Sequence, residues 1–391
     1  ESFVAIVVLS AVGFFAPAAL LSAVTPVVVK AQLRTLHQTG SVVGALSALS
    51  TTGAIAGTFV AGFVLVAAAS ITSLIVAIGI GLVVLGALLW WRAARPGAVA
   101  LLLVLTLGGG GVALALTVGR PCDVETAYYC ANVDVDPDRP SGRLLWLDDL
   151  RHSYVDLDDP THLEFRYLRV TRAAIDTVLP GDAPIDALHV GGGGFTLPRW
   201  LDATRPGSRS LVLELDPGIV ELAKDELGLV TGEHLAVKVG DARVSIDDLG
   251  DDRYDFVMGD AFGGRSVPWH LTTVEFAREV DRVLRDDGVY VVNVIDGPAM
   301  RFARSEVTTL REVFAHVAVV LPPSALERRT SANVVLIASQ QPLDLDTLVR
   351  RVEDNGDGDV TLSGDALDAF VDGAGALRDD FAPVDQYLVR D

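Results

Sequence analysis

The chain has 391 residues, 50% of them hydrophobic and 21% charged, with a net charge of −20. That length exceeds an ordinary single domain, so two units are the starting expectation. The acidic balance argues against nucleic acid as a partner, because phosphates would be repelled.

The apolar residues crowd into the first quarter. Segments 3–28, 42–69, 71–91 and 98–118 each approach or exceed the roughly 20 residues that cross about 30 Å of hydrocarbon. Small residues, as in "GALSALSTTGAIAGTFVAG", let helices approach closely in lipid. Trp90 and Trp91 stand where an interfacial aromatic belt would. A signal peptide would not need three further spans. A buried helical bundle of a soluble protein would have to explain four such runs with no interrupting carboxylate. The reading is a multi-pass membrane segment of about four helices over residues 1–119. The chain opens on Glu1 rather than Met, which leaves room for residues upstream, even another span.

Lys30 and Arg34 lie in one loop, Arg92 and Arg95 in another on the same side, and Arg120 on the opposite side. The positive-inside bias then places the remainder of the chain outside the cytoplasm. Cys122 and Cys130 are the only cysteines, with seven residues between them. A disulfide there needs an oxidising compartment; two free thiols are the alternative. With no second pair, the spacing does not suit zinc, and no metal site is expected.

Residues 120–180 read as a small β unit. "YYCANVDVD", "RLLWLDD" and "HSYVDLDD" are short β-prone runs, "DPDRPSG" is a turn, and "HLEFRYLRVTRAAIDTVL" has helical spacing. Residues 181–391 then alternate. Strands are expected at "IDALHV", "SRSLVLELD", "LAVKVGD", "YDFVMGD" and "GVYVVNVID", and helices at "FTLPRWLDAT", "GIVELAKDELGL", "TTVEFAREVDRVL" and "SEVTTLREVFAHV". Two late strands, "VAVVLP" and "NVVLIAS", complete a doubly wound, largely parallel sheet. Ligands of such sheets bind beyond the carboxyl ends of the strands.

Gly191, Gly192, Gly193 and Gly194 close the first of these strands. Glycine adopts positive φ and lets a ligand approach the backbone, and the helix that follows offers its N-terminus to a polar or anionic group. Glu214 ends the second strand, where a carboxylate accepts both hydroxyls of a ribose. Asp241 ends the third and is placed to bind an adenine amino group, with Asp216 and Ala242 beside these acids. Each acid alone reads equally well as a solvated or helix-capping residue. All of them at successive strand ends point to a nucleoside-containing cofactor.

The stretches "HVGGGGFTLPRWL", "LELDPGIVELAKDELG", "GDARVSI", "YDFVMGDAFGGRSVPWHLTTVEF" and "LRDDFAPVDQYL" resemble the spermidine synthase (polyamine aminopropyltransferase) family, in its membrane-fused branch. The resemblance implies a Rossmann-like, class I methyltransferase-type α/β sheet with a small N-terminal β domain. It implies a site for decarboxylated S-adenosylmethionine or S-adenosylmethionine, with methylthioadenosine or S-adenosylhomocysteine as product. It assigns Glu214 to the ribose, Asp241 to the adenine and Asp260 to catalysis. Asp260 also has a chemical rationale: an amine must lose its proton before attacking the carbon beside a sulfonium, and a carboxylate at a strand end accepts that proton.

Two departures stand out. Polyamine-making members carry a second acid three residues after the catalytic one, where this chain has Gly263. They also carry a Tyr-His-Glu element, where this chain reads "DDPTHLEFRYLR". Putrescine is therefore not the expected acceptor; a monoamine or a lipid-linked amine brought in at the membrane is. Tyr128, Tyr129 and Trp269 are candidates to wall the acceptor pocket, or are core aromatics. His270 is a second acid/base or a structural histidine. A methyltransferase and a non-catalytic ligand-binding or transport-associated module, with a partner or homodimer supplying further spans, are the competing readings. Charge bias and cysteines put the domain outside, whereas adenosyl cofactors are cytosolic.

Overall fold

The described residues of the apolar first quarter lie almost wholly in helices. The computed structural model describes residues 3–33, 35, 39–66, 70–92 and 122–388, and the chain divides into two units, Glu1–Thr117 and Val118–Asp391.

In the first unit, α1 spans Phe3–Gln32 with Lys30 as its only charge. α2, Thr39–Val60, runs on through a π-helical turn, Ala61–Leu65, and α3 spans Ile71–Arg92. Among the described residues two stretches, Thr39–Leu65 and Ile71–Leu88, are long and apolar enough to cross a membrane, and their apolar windows are entirely unburied. The hydroxyls of Thr52 and Thr58 are satisfied locally, donating to the carbonyls of Ala48 and Ala54, one turn back. The fourth expected segment, 98–118, lies outside the described residues, as do Arg34, Arg95 and Arg120 on which the orientation rests.

The second unit opens with an antiparallel sheet, β1 (Val124–Glu125), β2 (Cys130–Val135), β3 (Gly142–Leu147) and β4 (Leu150–Asp156), in that order. The β2–β3 turn is pinned twice, by Tyr154 Oη donating to Asp136 Oδ2 at 2.7 Å and by an Arg139–Asp156 ion pair at 2.7 Å. Cys122 and Cys130 form a disulfide, their Cα atoms 5.4 Å apart, across the β1–β2 connection. So short a loop removes little chain entropy from the unfolded state. Cys130→Ser is therefore expected to lower unfolding stability by about 2–3 kcal/mol in a denaturant titration, and wild-type thiols to react with a maleimide only after reduction.

α4 (Arg166–Val178) leads into the main sheet. Its strands and helices are β5 (Asp186–Val190), α5 (Thr196–Thr204), β6 (Arg209–Glu214), α6 (Pro217–Glu226), β7 (Leu235–Val239), β8 (Tyr254–Gly259), α7 (Val274–Val283), β9 (Leu284–Asp296), α8 (Arg301–Arg311), β10 (His316–Leu321), β11 (Ala332–Ser339), α9 (Leu345–Asp354) and β12 (Val360–Leu362). Spatial order is β12-β10-β11-β9-β8-β5-β6-β7. β7, β6, β5, β8 and β9 are parallel, while β11, β10 and β12 join antiparallel. The chain leaves β5 toward β6 and β7, then returns to lay β8 on the other side of β5. That reversal opens a crevice at the carboxyl ends of β5 and β8.

Both faces of the sheet are covered, which is why its strands read as unbroken apolar runs. Val280, Phe302 and Leu310 of α7 and α8 pack on one face, and Ile175, Trp200 and Leu348 of α4, α5 and α9 on the other. The small sheet is not separate from this body. Leu145, Leu147 and Val155 share a core with Phe195 and with Ile219, Leu222 and Ala223 of and beside α6, so residues 120–180 and 181–391 form one unit. Sequence and structure differ most at "SEVTTLREVFAHV". α8 begins earlier, at Arg301, and stops at Arg311; His316 and Val317 pair with Ser339 and Ala338 of β11 instead. Sheet pairing there outweighs helical spacing. β12 and α9 are elements that the periodicity did not single out.

Candidate active site

β5 ends at Val190, and the glycine run turns the chain into α5. Gly191 N donates to the Leu213 carbonyl at 2.9 Å, which extends the β5–β6 ladder by one rung. Gly191 has φ +97°, and a Cβ there would lie 2.5 Å from the Asp260 carbonyl oxygen. At Gly194 a Cβ would meet Ser153 Cβ at 2.7 Å, and its N–H donates to Ser153 Oγ at 2.9 Å. The loop is bare chiefly because it is wedged between the end of β8 and strand β4. Gly191→Ala is expected to cost about 1–3 kcal/mol in thermal unfolding, because the added Cβ must displace the Asp260 backbone.

Glu214, at the end of β6, faces this loop. Its Oε2 accepts from Gly192 N at 2.7 Å and its Oε1 from Asp216 N at 2.9 Å. Burial raises its pKa, opposed by the hydrogen bonds from the Asp216, Gly192 and Gly193 amides. Gly191, Gly192, Gly193, Glu214, Asp241 and Ala242 line a narrow cavity of about 90 Å³, walled by Leu213, Ile219 and Leu271. Carboxylate acceptors at two strand ends against an apolar wall fit a nucleoside: each Glu214 oxygen keeps a lone pair for a ribose hydroxyl. Asp241 also accepts from Arg243 N and lies 3.4 Å from His270 Nε2.

A second cavity, of about 420 Å³, adjoins the first. Asp260, His152 and Phe262 line both. Asp260 follows β8, its backbone N–H bonded to the Val190 carbonyl at 2.9 Å. Its Oδ2 accepts from Tyr167 Oη at 2.9 Å and its Oδ1 from Asn293 Nδ2 at 2.8 Å. Asn333 Nδ2 in turn donates to Asn293 Oδ1 at 3.0 Å, which sets the orientation of that amide. Burial pushes the Asp260 carboxyl up to about 7, against these two donors. Burial also pulls His152 down to about 4, so its ring is neutral, with a buried Nδ1 that has no hydrogen-bond partner.

The curated polyamine aminopropyltransferase of Vibrio vulnificus is 34% identical over 152 residues, which is 38% of this chain and 49% of that protein. The matched stretch thus spans about half the length of that relative. The crystal structure of a probable spermidine synthase from Corynebacterium glutamicum matches with a TM-score of 0.62 at 28% identity, covering 67% of this chain and 97% of that one. The second unit is similar to spermidine synthases in sequence and in fold. An eEF1A lysine and N-terminal methyltransferase from Danio rerio is 26% identical over 144 residues, 34% of this chain and 21% of that protein. No family model matches.

Within this spermidine synthase-like site, the structure does not gather every residue that the sequence suggested. Asp216 is buried and caps α6, accepting from Gly218 N at 2.8 Å; it lines neither cavity. Gly194 is spent on packing under Ser153. Tyr128 and Trp269 are about half exposed and line neither cavity. Tyr129 and His270 line the narrow cavity rather than the acceptor side, and Tyr129 Oη donates to the Phe262 carbonyl at 2.6 Å. Tyr167, within the stretch read as lacking the Tyr-His-Glu element, was not singled out in the sequence, yet its Oη donates to Asp260. His152, Asn293 and Asn333 were not foreseen. Asn293 carried a signal, as a lone amide inside "VVNVI"; His152 in "RHSY" carried none.

Proposed function

We propose that the second unit is an aminopropyltransferase-like enzyme. It binds decarboxylated S-adenosylmethionine in the narrow cavity and transfers the aminopropyl group to an amine, other than plain putrescine, in the larger one. The observation that carries this reading is Asp260, held by Tyr167 and Asn293 where the two cavities meet. The sulfonium supplies a carbon with a neutral thioether as leaving group. Asp260, ionised, accepts the proton of the acceptor's ammonium. The freed nitrogen lone pair forms the new N–C bond as the C–S bond breaks, its electron pair staying on sulfur. The proton on Asp260 then passes to solvent. Tyr167 and Asn293 hold the carboxylate toward the acceptor, and positioning supplies much of the remaining acceleration.

The apolar helices of the first unit support a membrane-bound, multi-pass protein, which would raise the effective concentration of a lipid-linked acceptor. The disulfide favours an oxidising compartment, whereas the sulfonium substrate is made in the cytosol. An impermeant thiol reagent applied to intact cells decides the side: labelling only after reduction puts the unit outside.

The activity test is mass spectrometry of products from decarboxylated S-adenosylmethionine, and in parallel S-adenosylmethionine, with putrescine, monoamines and membrane lipid extract. A product carrying an added aminopropyl group, absent with Asp260→Asn, is the expected result. An added methyl group would establish the methyltransferase reading instead. Brisk spermidine formation would overturn the altered acceptor.

A further inference from the structure

The larger cavity is lined by three guanidinium groups, Arg151, Arg166 and Arg169, and by two carboxyls, Glu164 and Asp260. Two of the arginines are neutralised from behind. Arg166 Nη1 donates to the buried Asp359 carboxylate at 2.7 Å, and its Nη2 to the Asn333 carbonyl. Arg169 binds Asp357 through both Nε, at 3.0 Å, and Nη2, at 2.7 Å, while its Nη1 donates to the Leu163 and Glu164 carbonyls. Glu164 is engaged by His162 at 3.2 Å.

Arg151 differs. It is exposed, and its guanidinium lies 5.7 Å from the centroid of the Phe165 ring, another lining residue. Among the described residues its guanidinium has no hydrogen bond and no carboxylate partner. A planar cation stacked on an aromatic face keeps its fork of N–H donors for a carboxylate or phosphate. The cavity therefore sets a buried acid, Asp260, and an exposed one, Glu164, beside one unclaimed cation, Arg151.

We propose that the acceptor is an amine whose far end is anionic, a carboxylate or a phosphate, and that Arg151 binds that end while Asp260 takes the ammonium. This rests on the aminopropyl-transfer reading and narrows its acceptor. A diamine would bring its second ammonium against the Arg151 guanidinium, with like-charge repulsion in place of a partner. An anionic amine meets an opposite charge at each end. Its source is a free small acid or a lipid headgroup that joins a primary amine to a phosphate.

The test compares putrescine with 4-aminobutyrate, which is of similar length with the far-end charge reversed, and with phosphoethanolamine. The full chain is used with decarboxylated S-adenosylmethionine. KM for either anionic amine is expected to lie at least about tenfold below that for putrescine, the worth of one charge-assisted pair. Arg151→Glu should raise the KM of the anionic amines about tenfold or more and lower that of putrescine, with methylthioadenosine affinity unchanged. Arg151→Gln should raise the KM of the anionic amines likewise and lower that of putrescine less than Arg151→Glu does. Calorimetry in the presence of methylthioadenosine reads the same ranking as binding, so the charge preference is measured whether or not a group is transferred. Putrescine binding as tightly as 4-aminobutyrate, or an Arg151→Glu chain with unchanged ranking, overturns the proposal even where transfer is seen. Preferential binding of the anionic amines without transfer upholds it and removes the enzyme reading instead. Vesicles of phosphatidylethanolamine, set against phosphatidylcholine vesicles that carry no primary amine, name the source: an aminopropylated lipid assigns the headgroup, and product on phosphoethanolamine alone assigns the free acid.

Discussion

Asp260→Asn is expected to lower aminopropyl transfer by about 10²–10⁴-fold, with methylthioadenosine affinity unchanged in calorimetry. The amide is isosteric and keeps an oxygen for one of the two donors, Tyr167 or Asn293, but it cannot accept the acceptor's proton. The pH dependence follows from the same carboxyl. With its pKa pushed up to about 7 by burial, the base is mostly protonated below neutrality. The wild-type rate should therefore rise about tenfold per pH unit up to near pH 7 and then level. Stability runs the other way. The folded pKa lies above the unfolded value of 3.8, so the folded chain binds a proton that the unfolded chain does not over that interval. The favourable contribution is fully present below about pH 4 and is lost as pH rises through about 7. Thermal melts should accordingly show Asp260→Asn more stable than wild type at pH 8, with the gap closing toward pH 4. A flat rate profile across pH 5–8, or a variant that retains wild-type turnover, would remove Asp260 as the base.

Glu214→Ala is expected to weaken methylthioadenosine binding by about 10- to 100-fold, since a carboxylate pair of hydrogen bonds to a ribose is worth on the order of 1.5–3 kcal/mol. It should also lower the melting temperature. Glu214 accepts from the amides of Gly192 and Asp216, and removing the acceptor leaves these two N–H groups without a partner, at about 1–3 kcal/mol each where they stay dry. Glu214→Gln separates the two effects. Its one amide oxygen still serves one of these donors, so it should recover much of the stability and little of the affinity. Equal affinity in wild type and both variants would refute the nucleoside assignment.

The order of elements and the position of Gly191–Gly194, Glu214, Asp241 and Asp260 at strand ends were legible in the sequence. Strand–helix alternation has two distinct periods, and a strand buried on both faces must end where its apolar run ends. Each of these residues is therefore placed by its own neighbours in the chain. The disulfide was legible only as one of two alternatives, because spacing limits which thiols can meet but not whether they do. Tertiary structure alone decided what surrounds Asp260. Tyr167 lies 93 residues before it and Asn293 lies 33 after, on a helix and a strand whose approach depends on sheet order and not on any local period. The same holds for the antiparallel entry of β10, β11 and β12 and for the division of labour among the acids. Glu214 faces the glycine loop while Asp216, two residues on, turns into the cap of α6. The pairing of Arg166 and Arg169 with Asp359 and Asp357, some 190 residues away, was likewise invisible in the sequence. It leaves Arg151 as the cation without a carboxylate partner among the described residues of that cavity, because charge compensation is a property of neighbours in space.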